Sequence, residues 1–201
     1  MLEDSFGRQF HYLRLSVTEA CNFRCQYCLP DGYEGPSSDQ FMSLNEIDTL
    51  LNAFAKLGTS KVRLTGGEPT LRRDFLDILH LTSNTPGIKR VAMTTHGARM
   101  EKLAHQWKDA GLHQVNVSID SLDPRQFAAI TGQDKLKAVL RGLDSAIDAG
   151  LDVKVNSVLL NDFSDSRLHR FLAWLKDMPV TLRFIELMET GDLNQFFNQQ
   201  H

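Results

Sequence analysis

The chain has 201 residues and a formal charge of −3, with 42% of residues apolar and 23% charged. That length supports one domain with a substantial core, burying roughly 70% of the surface of the unfolded chain. The composition excludes a disordered or fibrous chain. The charge leaves no footprint for nucleic acid, and no apolar run nears the roughly 20 residues of a membrane span.

Residues 1–10 read as an arm. Tyr12–Val17 alternates apolar and polar and predicts a strand. A cysteine-bearing loop follows, and residues 31–40, with two Gly, a Pro and two Ser, read as a mobile surface loop. Ser43-Leu-Asn-Glu46 is a capping box, opening a helix whose apolar positions Leu44, Ile47, Leu50, Leu51, Phe54 and Leu57 recur with helical period until Gly58. The unit then repeats. Strands are expected at Lys61–Thr65, Arg90–Thr94, Gln114–Ile119, Leu151–Val158 and Val180–Leu187. Helices are expected at Arg72–Thr82, Met100–Ala110, from Asp123-Pro124, from about Lys135 to Gly150, and at Ser166–Lys176. Strands alternating with helices predict parallel βα units with right-handed crossovers.

One parity of these strands is repeatedly polar: Arg14 and Ser16; Arg63 and Thr65; Asn116, Ser118 and Asp120; Lys154 and Asn156; Glu186. Strands of an open parallel sheet are buried on both faces and should be apolar throughout. Period 2 puts each polar set on one face. The expected fold class is therefore α/β, a partial (β/α)6 TIM-like barrel with a polar, water-accessible lumen. Edge-strand polarity is the competing explanation.

The only three cysteines fall within Cys21-Asn-Phe-Arg-Cys25-Gln-Tyr-Cys28, just after the first strand. Disulfides are a poor explanation, because three is odd and bonds at these spacings would close very small, strained loops. Free cysteines without a secretion signal point to the cytoplasm. Thiolates suit a 4Fe–4S cluster, and three of them leave one iron open to bind a small molecule. A zinc site completed by His11, His80, His96, His105 or His113 is the alternative, although none of these has the spacing of a zinc knuckle.

Other unusual residues also follow strands: Gly66-Gly67-Glu68, Thr94-Thr-His96-Gly97, Ser118-Ile-Asp120 and Glu186-Leu-Met188. Parallel α/β folds build their sites at strand C-termini. The glycines are expected to bring backbone N–H groups close to a ligand, and Glu68 to fix their turn. Arg14, Arg63 and Lys154 share the lumen parity and need counter-ions. Either Asp120 and Glu186 supply them, or a polyanionic substrate does.

The cysteine run with Tyr27 before its last member, followed by Leu64-Thr-Gly-Gly-Glu-Pro-Thr70, resembles the radical S-adenosylmethionine (SAM) enzymes. Within that superfamily, Tyr12–Cys25, Lys61–Pro69, Val115–Ser121, Val153–Asn156 and Leu182–Gly191 together resemble the GTP 3′,8-cyclases of molybdenum-cofactor biosynthesis. The resemblance covers essentially all of the chain from about His11 to Gly191. It implies that Cys21, Cys25 and Cys28 bind the catalytic 4Fe–4S cluster, whose open iron takes the amino and carboxylate groups of SAM. It implies that Tyr27, Gly67, Ser118 and Met188 contact SAM. Arg14, Arg63, Thr94 and Lys154 would contact GTP, with Lys61 and Arg183 as weaker phosphate candidates. The implied reaction is reductive cleavage of SAM to a 5′-deoxyadenosyl radical, abstraction of the ribose 3′ hydrogen of GTP, and closure onto guanine C8. Its product is (8S)-3′,8-cyclo-7,8-dihydroguanosine 5′-triphosphate.

The implied partners are a flavodoxin-like reductant and, next in the pathway, cyclic pyranopterin monophosphate synthase; a homodimer is compatible with the resemblance. The same core motifs also serve radical SAM enzymes acting on peptides or other nucleotides, and a non-catalytic iron–sulfur or zinc module is the reading from a different class. Two departures stand out. His96 occupies the place of the family's usual Asn, and the family's second cluster and glycine-rich tail have no counterpart. The expectation is a truncated chain: a barrel at 11–191, with 192–201 beginning a further region.

Overall fold

The computed structural model describes residues 2–35, 41–161, 163–189 and 194–200. Six parallel strands form one sheet in sequence order: β1 (Tyr12–Ser16), β2 (Lys61–Thr65), β3 (Arg90–Thr95), β4 (Gln114–Ser118), β5 (Asp152–Leu159) and β6 (Val180–Glu186). The helices between them are α1 (Leu44–Lys56), α2 (Phe75–Asn84), α3 (Met100–Asp109), α4 (Pro124–Thr131), α5 (Leu136–Asp148) and α6 (Asp165–Leu175). A last helix, α7 (Asn194–Gln200), follows β6 and was not foreseen from the sequence. The arm is folded back by a Glu3–Gln9 bridge, and part of the expected 31–40 loop, residues 36–40, lies outside the described residues.

Local chemistry sets these boundaries. In α1 the Ser43 hydroxyl accepts from the Glu46 N–H at 3.3 Å, while the Glu46 carboxylate accepts from the Ser43 N–H at 2.8 Å. This reciprocal pair satisfies two of the helix's orphan donors. In α4, Asp123 accepts from the Gln126 N–H at 3.0 Å and Pro124 opens the helix. The expected helix at Arg72 begins three residues later. Pro69–Leu71 forms a 3-10 turn first, and Arg72 is drawn to the Val17 and Met42 carbonyls, both at 2.9 Å.

One face of the sheet carries Leu15, Val62, Leu64, Val91, Met93, Val115, Val117, Val153 and Val155, all buried beneath the helices in one core. The helices answer with Ile47 and Leu51 of α1, Ile78 and Leu79 of α2, Trp107 of α3, and Val139 and Leu143 of α5. Each such side chain contributes about 1.5–3 kcal/mol on burial. The register carries the opposite parity across the sheet as rows: Arg14 beside Arg63, Thr94 beside Asn116 beside Lys154, and Ser118 beside Asn156 beside Arg183.

The sheet is curved as a partial barrel. In a flat sheet the ends of β1 and β4, three strands apart, would stand about 14 Å from one another. Instead Tyr27, in the loop after β1, donates a 2.7 Å hydrogen bond to Asp120, just past β4. Arg63 on β2 and Arg183 on β6 likewise lie close enough to act on one another's charge.

Candidate active site

The polar parity faces this concavity, as the alternation implies. Gln114 and Asn116 are buried on it, and Gln114 donates to Asn116 at 2.8 Å. Lys61 joins them through a long 3.5 Å contact with the Gln114 side-chain oxygen. Lys61 and Arg63 both lie 5.5 Å from the centre of the Tyr12 ring. Tyr12 and Gln114 share the parity of Arg14 and Asn116, so the alternation that flagged those two residues pointed to these as well. Among the described residues, Arg14, Arg63, Lys154 and Arg183 make no ion pair with a carboxylate. Buried polar atoms without partners gather on this face too: Arg63 Nε, Asn116 Nδ2 and Asn156 Oδ1. Burial, and then the nearby cations Arg63, Arg90 and Lys154, push the Lys61 pKa down. Burial does the same to Arg63, with Arg14 and Arg183 adding repulsion.

The internal carboxylates proposed as counter-ions do not serve. Asp120 is buried and accepts from the Tyr27 hydroxyl and from the Val158 N–H at 2.8 Å. Glu186 is not on the lumen parity. It pairs with Leu159 and shares the face of Phe184, which packs edge-on against Phe163 and Phe171 on the helix side. The inner positions of β6 are Thr181, Arg183 and Ile185. Arg183, given secondary weight from the sequence, thus stands beside Asn156 in the row of Ser118.

At the C-terminal rim, the cysteine loop is tied to the ends of three strands, β2, β3 and β4, and to α4. Its first part is held by the glycine turn after β2. The Gly67 and Glu68 N–H groups donate to the Thr18 and Ala20 carbonyls at 2.9 and 2.8 Å. A Cβ at Gly66, whose φ is +150°, would run into the Thr18 carbonyl, and one at Gly67 would meet the Glu19 and Ala20 carbonyls. The expectation that these N–H groups face a ligand is therefore corrected for Gly67: its donor braces the loop, because the two segments cross at backbone contact.

Glu68 fixes this turn from below, as expected. Its buried carboxylate accepts from the Thr70 N–H and hydroxyl, from the Thr95 hydroxyl at 2.8 and 2.9 Å, and from the His96 N–H at 2.9 Å. His96 in turn stacks on Phe23, with ring centres 3.8 Å apart. The loop's later half is pinned to α4, with Arg24 and Gln26 N–H groups donating to Thr131 and Ile130 carbonyls at 2.9 and 3.0 Å. Tyr27 closes the frame through Asp120.

Cys21 and Cys25 are half-buried in this frame and Cys28 is exposed. Burial pushes all three thiols up, Cys25 to about 12, with Glu68 adding to the shift at Cys21 and Asp120 to that at Cys25, ahead of the neighbouring thiols. Such a set favours a bound cation, which would reverse the cost of ionising it. Three thiol donors on one loop are the ligand type of an iron–sulfur cluster, so the donor set fits that group. Ser118 is half-buried at the tip of β4, Thr94 is half-buried beside Asn116, and Met188 lies past β6 with 71% of its surface exposed.

Residues 15–175 match the model of the radical SAM superfamily. A GTP 3′,8-cyclase from Shewanella denitrificans is 57% identical over 201 residues, covering all of this chain and 60% of that protein. Another from Actinobacillus pleuropneumoniae serotype 5b is 57% identical, covering all of this chain and 59% of the relative. The chain thus spans about three-fifths of the length of these curated relatives. Among solved structures, Streptococcus suis SuiB bound to precursor peptide SuiA superposes with a TM-score of 0.78 at 14% identity, over 95% of this chain and 42% of that one. Native anSMEcpe with bound AdoMet gives 0.71 at 17% identity, over 91% of this chain and 54% of that one. Both share its fold.

Proposed function

Given that the chain belongs to the radical SAM superfamily, we propose that it forms the catalytic barrel of a GTP 3′,8-cyclase. The carrying observation is the set of cations on one face of the sheet, Arg14, Arg63, Lys154 and Arg183, which have no carboxylate partner among the described residues and lie beneath the cysteine loop. Arg63 and Lys154 are half-buried there, where an unpaired charge is costly, and a triphosphate offsets several such charges at once. A neutral peptide would leave them unneutralised. The curated relatives, named for GTP, support the same choice.

In this reading Cys21, Cys25 and Cys28 hold a 4Fe–4S cluster, which when bound supplies the electron that cleaves SAM. What remains at Gly67 is its carbonyl oxygen, an acceptor for the SAM ammonium. Tyr27, locked by Asp120, and Ser118 border the same rim, and Met188 offers a flexible thioether to an adenine face. Below them, Arg14, Arg63 and Lys154 anchor the triphosphate, with Lys61 and Arg183 adding charge, while Thr94 and Asn116 offer neutral hydrogen bonds to the nucleoside. Anchoring at the phosphate end fixes how far the ribose reaches toward the rim, and hydrogen abstraction needs reacting atoms within about 3.5 Å. The electron comes from a flavodoxin-like donor, and cytoplasmic location follows from that supply. The product would pass to cyclic pyranopterin monophosphate synthase.

The test is anaerobic reconstitution with iron and sulfide, then reduction with SAM and GTP. It should yield 5′-deoxyadenosine and a cyclised guanosine triphosphate by chromatography. SAM cleavage that responds to a peptide and ignores GTP would refute the substrate.

A further inference from the structure

His96 reaches from the tip of β3 into the cysteine loop with both a ring face and a ring nitrogen. The face lies on Phe23, the two planes 6° apart, and Phe23 is itself buried edge-on against Phe127 of α4. The Ala98 N–H donates to Nδ1 at 3.1 Å, and Nε2 lies 2.8 Å from Asn22 Oδ1. A ring nitrogen that accepts a backbone N–H carries no proton, so the hydrogen sits on Nε2 and is donated to Asn22. From below, Glu68 accepts the His96 N–H and comes within 3.4 Å of Nε2.

We infer that His96 is a positioning residue for the cluster. It clamps Asn22-Phe23, the segment between the first two cysteines, and thereby sets where the Cys21 and Cys25 thiols stand relative to the Gly66-Gly67 turn before any metal arrives. Through its backbone N–H the same residue is also held by Glu68, the carboxylate that fixes the turn proposed to receive SAM. A ring is suited to this because it supplies a flat face for Phe23 and a directed donor for Asn22 together, which a short amide cannot do. The inference rests on the cluster reading of the cysteines and is indifferent to the substrate.

The test begins with metal-free protein. Alkylation by iodoacetamide, resolved by mass spectrometry for each cysteine, reports how often the loop opens. His96→Ala should raise the rates at Cys21 and Cys25 by about tenfold while the exposed Cys28 changes little. His96→Phe, which keeps the stack and loses the Asn22 bond, should fall between. In reconstituted protein, the reduced cluster's EPR signal with SAM should be altered in His96→Ala and partly restored in His96→Phe. Equal alkylation rates in wild type and His96→Ala overturn the inference. So does a uniform rise at all three cysteines accompanied by a matching fall in the melting temperature, which marks a general loss of stability. Wild-type protein that shows the predicted alkylation pattern yet takes up no iron would instead refute the cluster reading.

Discussion

The Tyr27 hydroxyl donates to Asp120 across 2.7 Å, joining the cysteine loop after β1 to the end of β4. Asp120 also receives the Val158 N–H, so one buried carboxylate ties the loop, β4 and β5 together. Tyr27→Phe leaves a buried Asp120 oxygen without its donor and should cost about 1–3 kcal/mol in urea unfolding. An unchanged midpoint would show that the bond contributes nothing to the frame.

Glu68 is more deeply committed, since its two oxygens serve Thr70, Thr95 and His96 together. Glu68→Gln keeps the size but turns an amide NH2 toward groups that themselves donate. The expected loss is on the order of 3 kcal/mol, with poor iron uptake on reconstitution. A variant as stable as wild type would mean that the carboxylate is not the hub of the turn.

Burial lowers the His96 pKa, and the Glu68 charge opposes that only in part. A folded value below the unfolded one, about 6.5, means that the neutral ring is the form the fold prefers. Its contribution is present above that pH and is lost as pH falls through the folded pKa. Wild type should therefore lose more stability than His96→Phe between pH 7 and pH 5. Parallel curves for the two proteins would contradict this.

Much of this was legible in the chain. The strands, the curvature and the lumen residues follow from period-2 alternation, and the rim sites from the position of Cys21–Cys28 and Gly66–Glu68 after strands. What escaped depended on contacts between distant segments. His96 meets Asn22 and Phe23 where the cysteine loop folds over the tip of β3, and Gly67 spends its N–H on Thr18 because the paired strands β1 and β2 keep their register past their ends. Glu186 is polar yet stands on the outer parity of β6, because the register with β5 places Arg183 on the inner face.

The lumen cations give a graded expectation. Arg14→Ala, Arg63→Ala and Lys154→Ala should each weaken GTP binding by about 1.5–3 kcal/mol in calorimetry, with SAM affinity nearly intact. Arg63 should show the largest effect, because its Nε is already buried and unpartnered. Unchanged GTP affinity in all three would remove the phosphate assignment.

The measurement closest to the central claim follows one hydrogen. Reduced, reconstituted protein is given SAM with GTP deuterated at the ribose 3′ position, and the 5′-deoxyadenosine is examined by mass spectrometry. If the cysteine loop holds the cluster and SAM above a triphosphate anchored on Arg14, Arg63 and Lys154, deuterium appears in 5′-deoxyadenosine with GTP and is nearly absent with deuterated guanosine. Unlabelled 5′-deoxyadenosine in both cases, or equal labelling from guanosine, would contradict that arrangement.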